Sequence, residues 1–141
     1  MKSLEFLIGD WITHGLIKGE NRLEEKVSGT DSYEWLLDQN FILHEVDVTI
    51  NNQLVQVFEI IGKNKTGFDL RSFDNEGGFS EMSGRLDDKK VLHITGDKMR
   101  AVLTIIDPNT LKAHWEKSPD NKTWEPWMDI ILERASPKKS G

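Results

Sequence analysis

The feature that most constrains this chain is its punctuation. From Asp10 to Arg134, short segments that mostly alternate apolar and polar residues are closed by turn residues at intervals of about 8 to 12, and no helix of ordinary length fits between them. This pattern predicts ten strands, over approximately Asp10–Ile17, Leu23–Leu36, Phe41–Ile50, Gln53–Ile61, Gly67–Asp74, Phe79–Leu86, Val91–Thr95, Lys98–Ile106, Leu111–Lys117 and Trp127–Arg134. The connections include Asn51-Asn52, Lys63 to Gly67, Asn75 to Gly78, Asp87 to Lys89, Gly96-Asp97 and Asp107 to Thr110, all rich in the residues that turns require. Hairpins strung in this way form an antiparallel up-and-down meander. Closing it into an all-β barrel removes the edges that an open sheet would expose. Ten strands should also leave more internal room than the eight that are filled by side chains or one small ligand.

Ahead of the first strand, residues 3 to 8 suit one helical turn with Ser3 as N-cap, its Leu4, Leu7 and Ile8 lying against the barrel end. Gly9-Asp10-Trp11 then opens the strand. Its tryptophan is placed to plug the closed end, and its glycine lets backbone pass close by. The 141 residues make one domain, over 1–136, followed by a polar tail over 137–141. A hydrophobic content of 37% with 30% charged residues is that of a soluble globular protein, and no apolar run reaches the roughly 20 residues of a membrane span.

Glu5 interrupts the short apolar lead-in, which therefore makes a poor signal peptide, and a cytoplasmic location is expected. Without cysteine there can be no disulfide, thiolate metal ligand or thiol nucleophile. A formal charge of −6 opposes any grip on a phosphate backbone, so neither a nucleic-acid nor a membrane partner is expected; Lys138-Lys139 is a solvated end.

Register propagates from the turns, because one face of each strand must be buried. With Asn51-Asn52 as a two-residue loop, Val48 faces Val55, Val46 faces Val57 and His44 faces Glu59 on the apolar, inner side. Continuing through the loops brings Phe68, Leu70, Met82 and Leu86 inward, then Val91 and His93. Arg100 falls opposite His93, with Val102, Thr104 and Ile106 following it inward and Trp115 beside Val102. In the second strand the aromatic side, Val27, Tyr33 and Trp35, is the inner one. The expected pocket lining is thus apolar with a few polar contacts, from Tyr33, Trp35, His44, Glu59, His93, Arg100 and Trp115.

Five segments resemble one family: Gly9-Asp10-Trp11, Ser28 to Trp35, Phe41 to Asp47, Glu59 to Gly62, and most specifically Trp124-Glu125-Pro126-Trp127-Met128-Asp129. In that order the chain is similar to the DUF1579 family of lipocalin-like bacterial proteins. The resemblance implies a calycin-type barrel related to lipocalins and nitrobindins, and no activity, because that family is uncharacterised.

The first functional expectation is a non-catalytic module that binds a small hydrophobic molecule, with Arg100 suited to an anionic group such as a carboxylate. The second is an enzyme using His44 with Glu59, or His93 with Arg100, for proton transfer. A barrel filled by its own side chains, serving protein interaction, is the third. No cofactor is expected; His44 or His93 is the candidate were a haem bound, but no haem-ligand motif stands near the C-terminus. No metal site is expected either, since the four histidines lack paired ligand spacing and His14 and His114 fall on outer faces. Trp124 to Trp127 would form a lid over the mouth or cover an end of the barrel. Phosphate loops, nucleophile elbows and dinucleotide fingerprints are absent from the sequence.

Overall fold

The computed structural model describes residues 1–18 and 23–137. The expected polar tail therefore lies outside the described residues beyond Pro137, Lys138-Lys139 included. Ten strands form a closed barrel: β1 (Gly9–Lys18), β2 (Glu24–Leu36), β3 (Phe41–Ile50), β4 (Gln53–Lys63), β5 (Phe68–Asp74), β6 (Phe79–Leu86), β7 (Leu92–Gly96), β8 (Met99–Asp107), β9 (Thr110–Lys117) and β10 (Glu125–Arg134). Each strand pairs antiparallel with its neighbour in sequence, and β10 returns to β1, so no edge is left open. The N-terminal turn is a 3₁₀ turn over Lys2–Leu7. It starts one residue earlier than expected, with Met1 rather than Ser3 at the cap, and the Met1 carbonyl accepts from the Leu4 N–H.

This turn closes one end of the barrel. Leu4, Leu7, Trp11, Ile42 and Leu111 are fully buried there, and the Trp11 indole N–H donates to the Leu7 carbonyl at 2.8 Å. Arg134, from the last strand, lies across the Trp11 ring with its guanidinium carbon 4.2 Å from the ring centre. Its N–H groups donate to the carbonyls of Phe6, Ile8 and Pro108 at 3.0, 2.8 and 2.9 Å, tying the turn, β1 and the β8–β9 loop together. Gly9 is required beside it. Its φ is +136°, and a Cβ there would stand 2.5 Å from Arg134 Nη1.

Toward the opposite end several inner-face residues are only partly buried. Ile17, Val46, Ile50, Val55, Met82, Trp115 and Met128 occupy core-packed positions, yet each keeps part of its surface accessible. Burial on the inner face thus falls from the sealed floor toward these residues.

Register follows the expectation through the first six strands. Asn51 and Asn52 have φ of +50° and +63°, the conformation a two-residue primed turn requires, and His44 pairs with Glu59. The expectation fails at the next turn. Leu86 pairs with Leu92 across a five-residue loop, Asp87 to Val91, in which Lys90 is left-handed (φ +62°) and the Asp87 carboxylate accepts from the Lys89 and Val91 N–H groups. One extra residue inverts every side chain that follows. Leu92, Ile94, Ala101 and Leu103 line the interior, whereas His93, Arg100, Val102 and Thr104 lie on the outer face.

A bulge between Ile105 and Asp107 then leaves Ile106 unpaired and exposed, and restores the phase. Trp115 accordingly faces inward as expected, but opposite Ala101 rather than Val102.

Candidate functional site

Six consecutive strands each place one polar side chain at the same depth of the inner wall: Thr13 from β1, Asp31 from β2, His44 from β3, Glu59 from β4, Ser72 from β5 and Ser80 from β6. Thr13 donates to Asp31 through a short hydrogen bond. His44 is held on both sides, its Nε2 2.6 Å from Asp31 and its Nδ1 2.9 Å from Glu59. Ser72, which pairs with Glu59 in the ladder, meets Ser80 hydroxyl to hydroxyl at 2.9 Å. Tyr33 stacks flat on the imidazole, with ring centres 3.9 Å apart and planes 7° from parallel.

Asp31, Glu59, Ser72 and Thr13 are all buried, and the His44 side chain is 12% exposed. Burial works against charge on the imidazole, but the hydrogen bonds to Asp31 and Glu59 outweigh it and raise its pKa from 6.5 to about 9. Burial, reinforced by the nearby Asp31 and Glu59 carboxylates, pushes the Tyr33 phenol well above its ordinary value.

Of the residues expected to line the pocket, the structure brings Tyr33, His44 and Glu59 into direct contact or hydrogen-bond reach. Trp35 and Trp115 face inward and are partly buried; Trp115 meets Trp127 edge to face at 6.1 Å. His93 and Arg100 are elsewhere. His93 sits outside, 2.9 Å from Asp87, whose carboxyl it holds down at about 2, with help from the loop N–H groups. Arg100 sits outside as well, bonded to Glu116 at 2.8 Å, its guanidinium carbon 4.1 Å from the centre of the Trp124 ring. Trp124 is therefore stacked on Arg100 at the outer wall, while Trp127 meets the inward Trp115.

Asp31 and Thr13 were within reach of sequence reasoning. Once Val27, Tyr33 and Trp35 are assigned inward, alternation assigns Asp31 inward too, and Trp11 does the same for Thr13. Arg134 carries no such signal, since its packing on Trp11 joins residues at opposite ends of the chain.

The residues do not fit a haem: both nitrogens of His44 are engaged by carboxylates and His93 faces outward. Among the described residues, no group of three or more histidine or acidic side chains could hold a metal ion. Nor can either His44 nitrogen exchange a proton with a bound molecule without breaking a carboxylate hydrogen bond.

No family model matches the chain, and no curated protein matches it in sequence. Solved structures do match in shape. The Rv2717c protein of M. tuberculosis is similar with a TM-score of 0.70 at 10% identity, over 96% of this chain and 99% of that one. The S-type phycobiliprotein lyase CPES of Guillardia theta gives 0.66 at 11% identity, over 97% and 93%. The fold is a lipocalin-like barrel. A de novo designed fluorescence-activating β-barrel also matches, at 0.53 and 10% identity over 95% and 98%. At these identities the likeness carries the fold and nothing finer. Among the described residues no helix is long and apolar enough to cross a membrane.

Proposed function

We propose that this protein is a binding barrel that takes a small, mainly apolar molecule through its open end, and that it belongs with the DUF1579 proteins that its Trp124 to Asp129 segment resembles. The observation that supports binding is a run of inner-face residues that are only partly buried. Val55, Met82, Trp115 and Met128 pack against the core on the inner face and still keep part of their surface accessible, as does Val57 beside them, which is what a ligand-accepting barrel needs. The fluorescence-activating barrel and the lyase among its structural neighbours are in keeping with such a use of the fold. An anionic ligand loses its basis, since Arg100, the residue that suggested it, is on the outer wall.

The experiment is native mass spectrometry and absorption spectroscopy of protein taken from its own host, paired with titration by the neutral apolar dye Nile red. A co-purifying organic molecule, or saturable one-to-one dye binding abolished by filling the mouth with Val57→Trp, is expected. A clean protein mass together with no dye binding would remove the reading.

A further inference from the structure

The belt of polar side chains formed by Thr13, Asp31, His44, Glu59, Ser72 and Ser80 has a charge that can be counted from its hydrogen bonds. Two hydrogen bonds, one between His44 and Asp31 and one between His44 and Glu59, need two hydrogens among three groups. An imidazolium between two carboxylates satisfies this, and so does a neutral imidazole with one carboxyl protonated. Both arrangements carry one net negative charge.

Among the described residues, neither Asp31 nor Glu59 pairs with a lysine or arginine. Among the same residues, Lys63 and Lys117 end β4 and β9 at exposed positions away from the belt, Lys18, Lys26 and Lys112 take outer-face positions, the other lysines lie in loops or the N-terminal turn, Arg71, Arg85 and Arg100 face outward, and the Arg134 donors are occupied by three carbonyls on the sealed floor. A net charge held in a low-dielectric interior is costly unless a counter-charge reaches it.

Two polar atoms at the belt are also unspent. Tyr33 is 8% exposed and lies on the inner face, yet among the described residues nothing hydrogen-bonds its hydroxyl. Glu59 is 6% exposed and bonds His44 through Oε1, and among the described residues nothing hydrogen-bonds its Oε2. Buried polar atoms are seldom left this way, and neither is fully sealed off, so both stand where a molecule in the barrel would meet them.

Building on the binding reading, we infer that the pocket selects an apolar molecule bearing a cationic nitrogen, an ammonium or amidinium class of ligand. Its N–H groups donate to Glu59 Oε2 and the Tyr33 hydroxyl, and its apolar part runs along Val46, Val57, Met82 and Trp115 to the mouth. The ligand's charge neutralises the belt. An ammonium head suits the site because it supplies only donors, and the unspent oxygens accept.

The test displaces Nile red at pH 7 with three probes of equal chain length: decylammonium, decanol and decanoate. Decylammonium is expected to bind at least about tenfold tighter than decanoate, with decanol between, because only the first gains from the belt's charge. Glu59→Gln, which removes one negative charge while keeping a hydrogen-bond partner for His44, should cut the decylammonium advantage over decanol several-fold. Asp31→Asn should do the same, so a folding defect in one variant leaves the other to decide. Decanoate binding as well as decylammonium, or an advantage unchanged in folded Glu59→Gln and Asp31→Asn, would overturn the cation preference while leaving Nile red binding intact. Loss of Nile red binding itself would instead overturn the binding reading on which this one rests.

Discussion

Tyr33 and His44 lie face to face, 3.9 Å between ring centres, on adjacent strands that the ladder pairs directly. The stack fixes the plane of the imidazole, and that plane aims its two nitrogens at Asp31 and Glu59 on the strands to either side. A charged ring pressed against an aromatic face and clamped by carboxylates is costly to rotate or to deprotonate.

The first consequence is a dependence of stability on pH. The His44 pKa is raised in the folded state, from 6.5 to about 9, so its contribution is fully present below pH 6.5 and is lost as the pH rises through about 9. The shift corresponds to a loss on the order of 3 kcal/mol across that window. Urea unfolding between pH 6 and 10 measures it; His44→Gln should flatten the curve, and an equally steep loss in that variant would place the effect elsewhere.

Asp31→Asn removes one of the two hydrogen-bonded charges that hold the proton on His44. The imidazole pKa should fall by about one unit or more, since an opposite charge at this distance is worth 1 to 3 units. Histidine proton NMR titration reads this directly, and an unmoved His44 resonance would contradict the clamp.

Arg134→Ala should destabilise by about 3 kcal/mol. It removes three charge-assisted hydrogen bonds and the group covering Trp11, and leaves the Phe6, Ile8 and Pro108 carbonyls to find other partners. Chemical denaturation gives the value; Arg134→Lys, which keeps charge but not the planar fork, should recover only part of it.

Gly9→Ala tests the same floor from the other side. At φ +136° an alanine is strained, and its Cβ meets Arg134 Nη1 at 2.5 Å, so a cost of about 2 kcal/mol is expected by thermal or urea unfolding. A neutral substitution would mean that the guanidinium can leave Trp11 freely.

The barrel was legible in the sequence because hairpin turns are local. Asn51-Asn52 sets the His44–Glu59 pairing within sixteen residues, and nothing distant has to be known. What failed was counting across turns whose length is decided by backbone geometry. The Asp87 to Val91 loop gains one residue through a left-handed Lys90, for which lysine gives no hint, and Ile106 bulges without a glycine to mark it. The turn between β7 and β8 also falls at Asp97-Lys98, with a left-handed Lys98, rather than at Gly96-Asp97, so Arg100 pairs with Thr95 and not His93 without changing face. The other two errors have opposite effects. His93 and Arg100, between them, were assigned to the wrong face, while Trp115, beyond both, was assigned to the right one. Asp31 was missed because an acidic residue among Val27, Tyr33 and Trp35 reads as an exception to the apolar face, when it is the partner that the buried His44 needs.

The central claim is that the interior, rather than the outer wall, receives a small molecule. The outer wall has a competing surface: Phe58, Phe73 and Phe79 are 45, 51 and 56% exposed on three adjacent strands, with Phe73 and Phe79 ring centres 5.0 Å apart. An amide NMR titration with Nile red separates the two most directly. Saturable shifts centred on Val46, Val55, Val57, Met82 and Trp115, with Phe58, Phe73 and Phe79 unmoved, are expected. Shifts confined to the phenylalanine stripe, or no saturable shift at all, would contradict an open, ligand-accepting barrel.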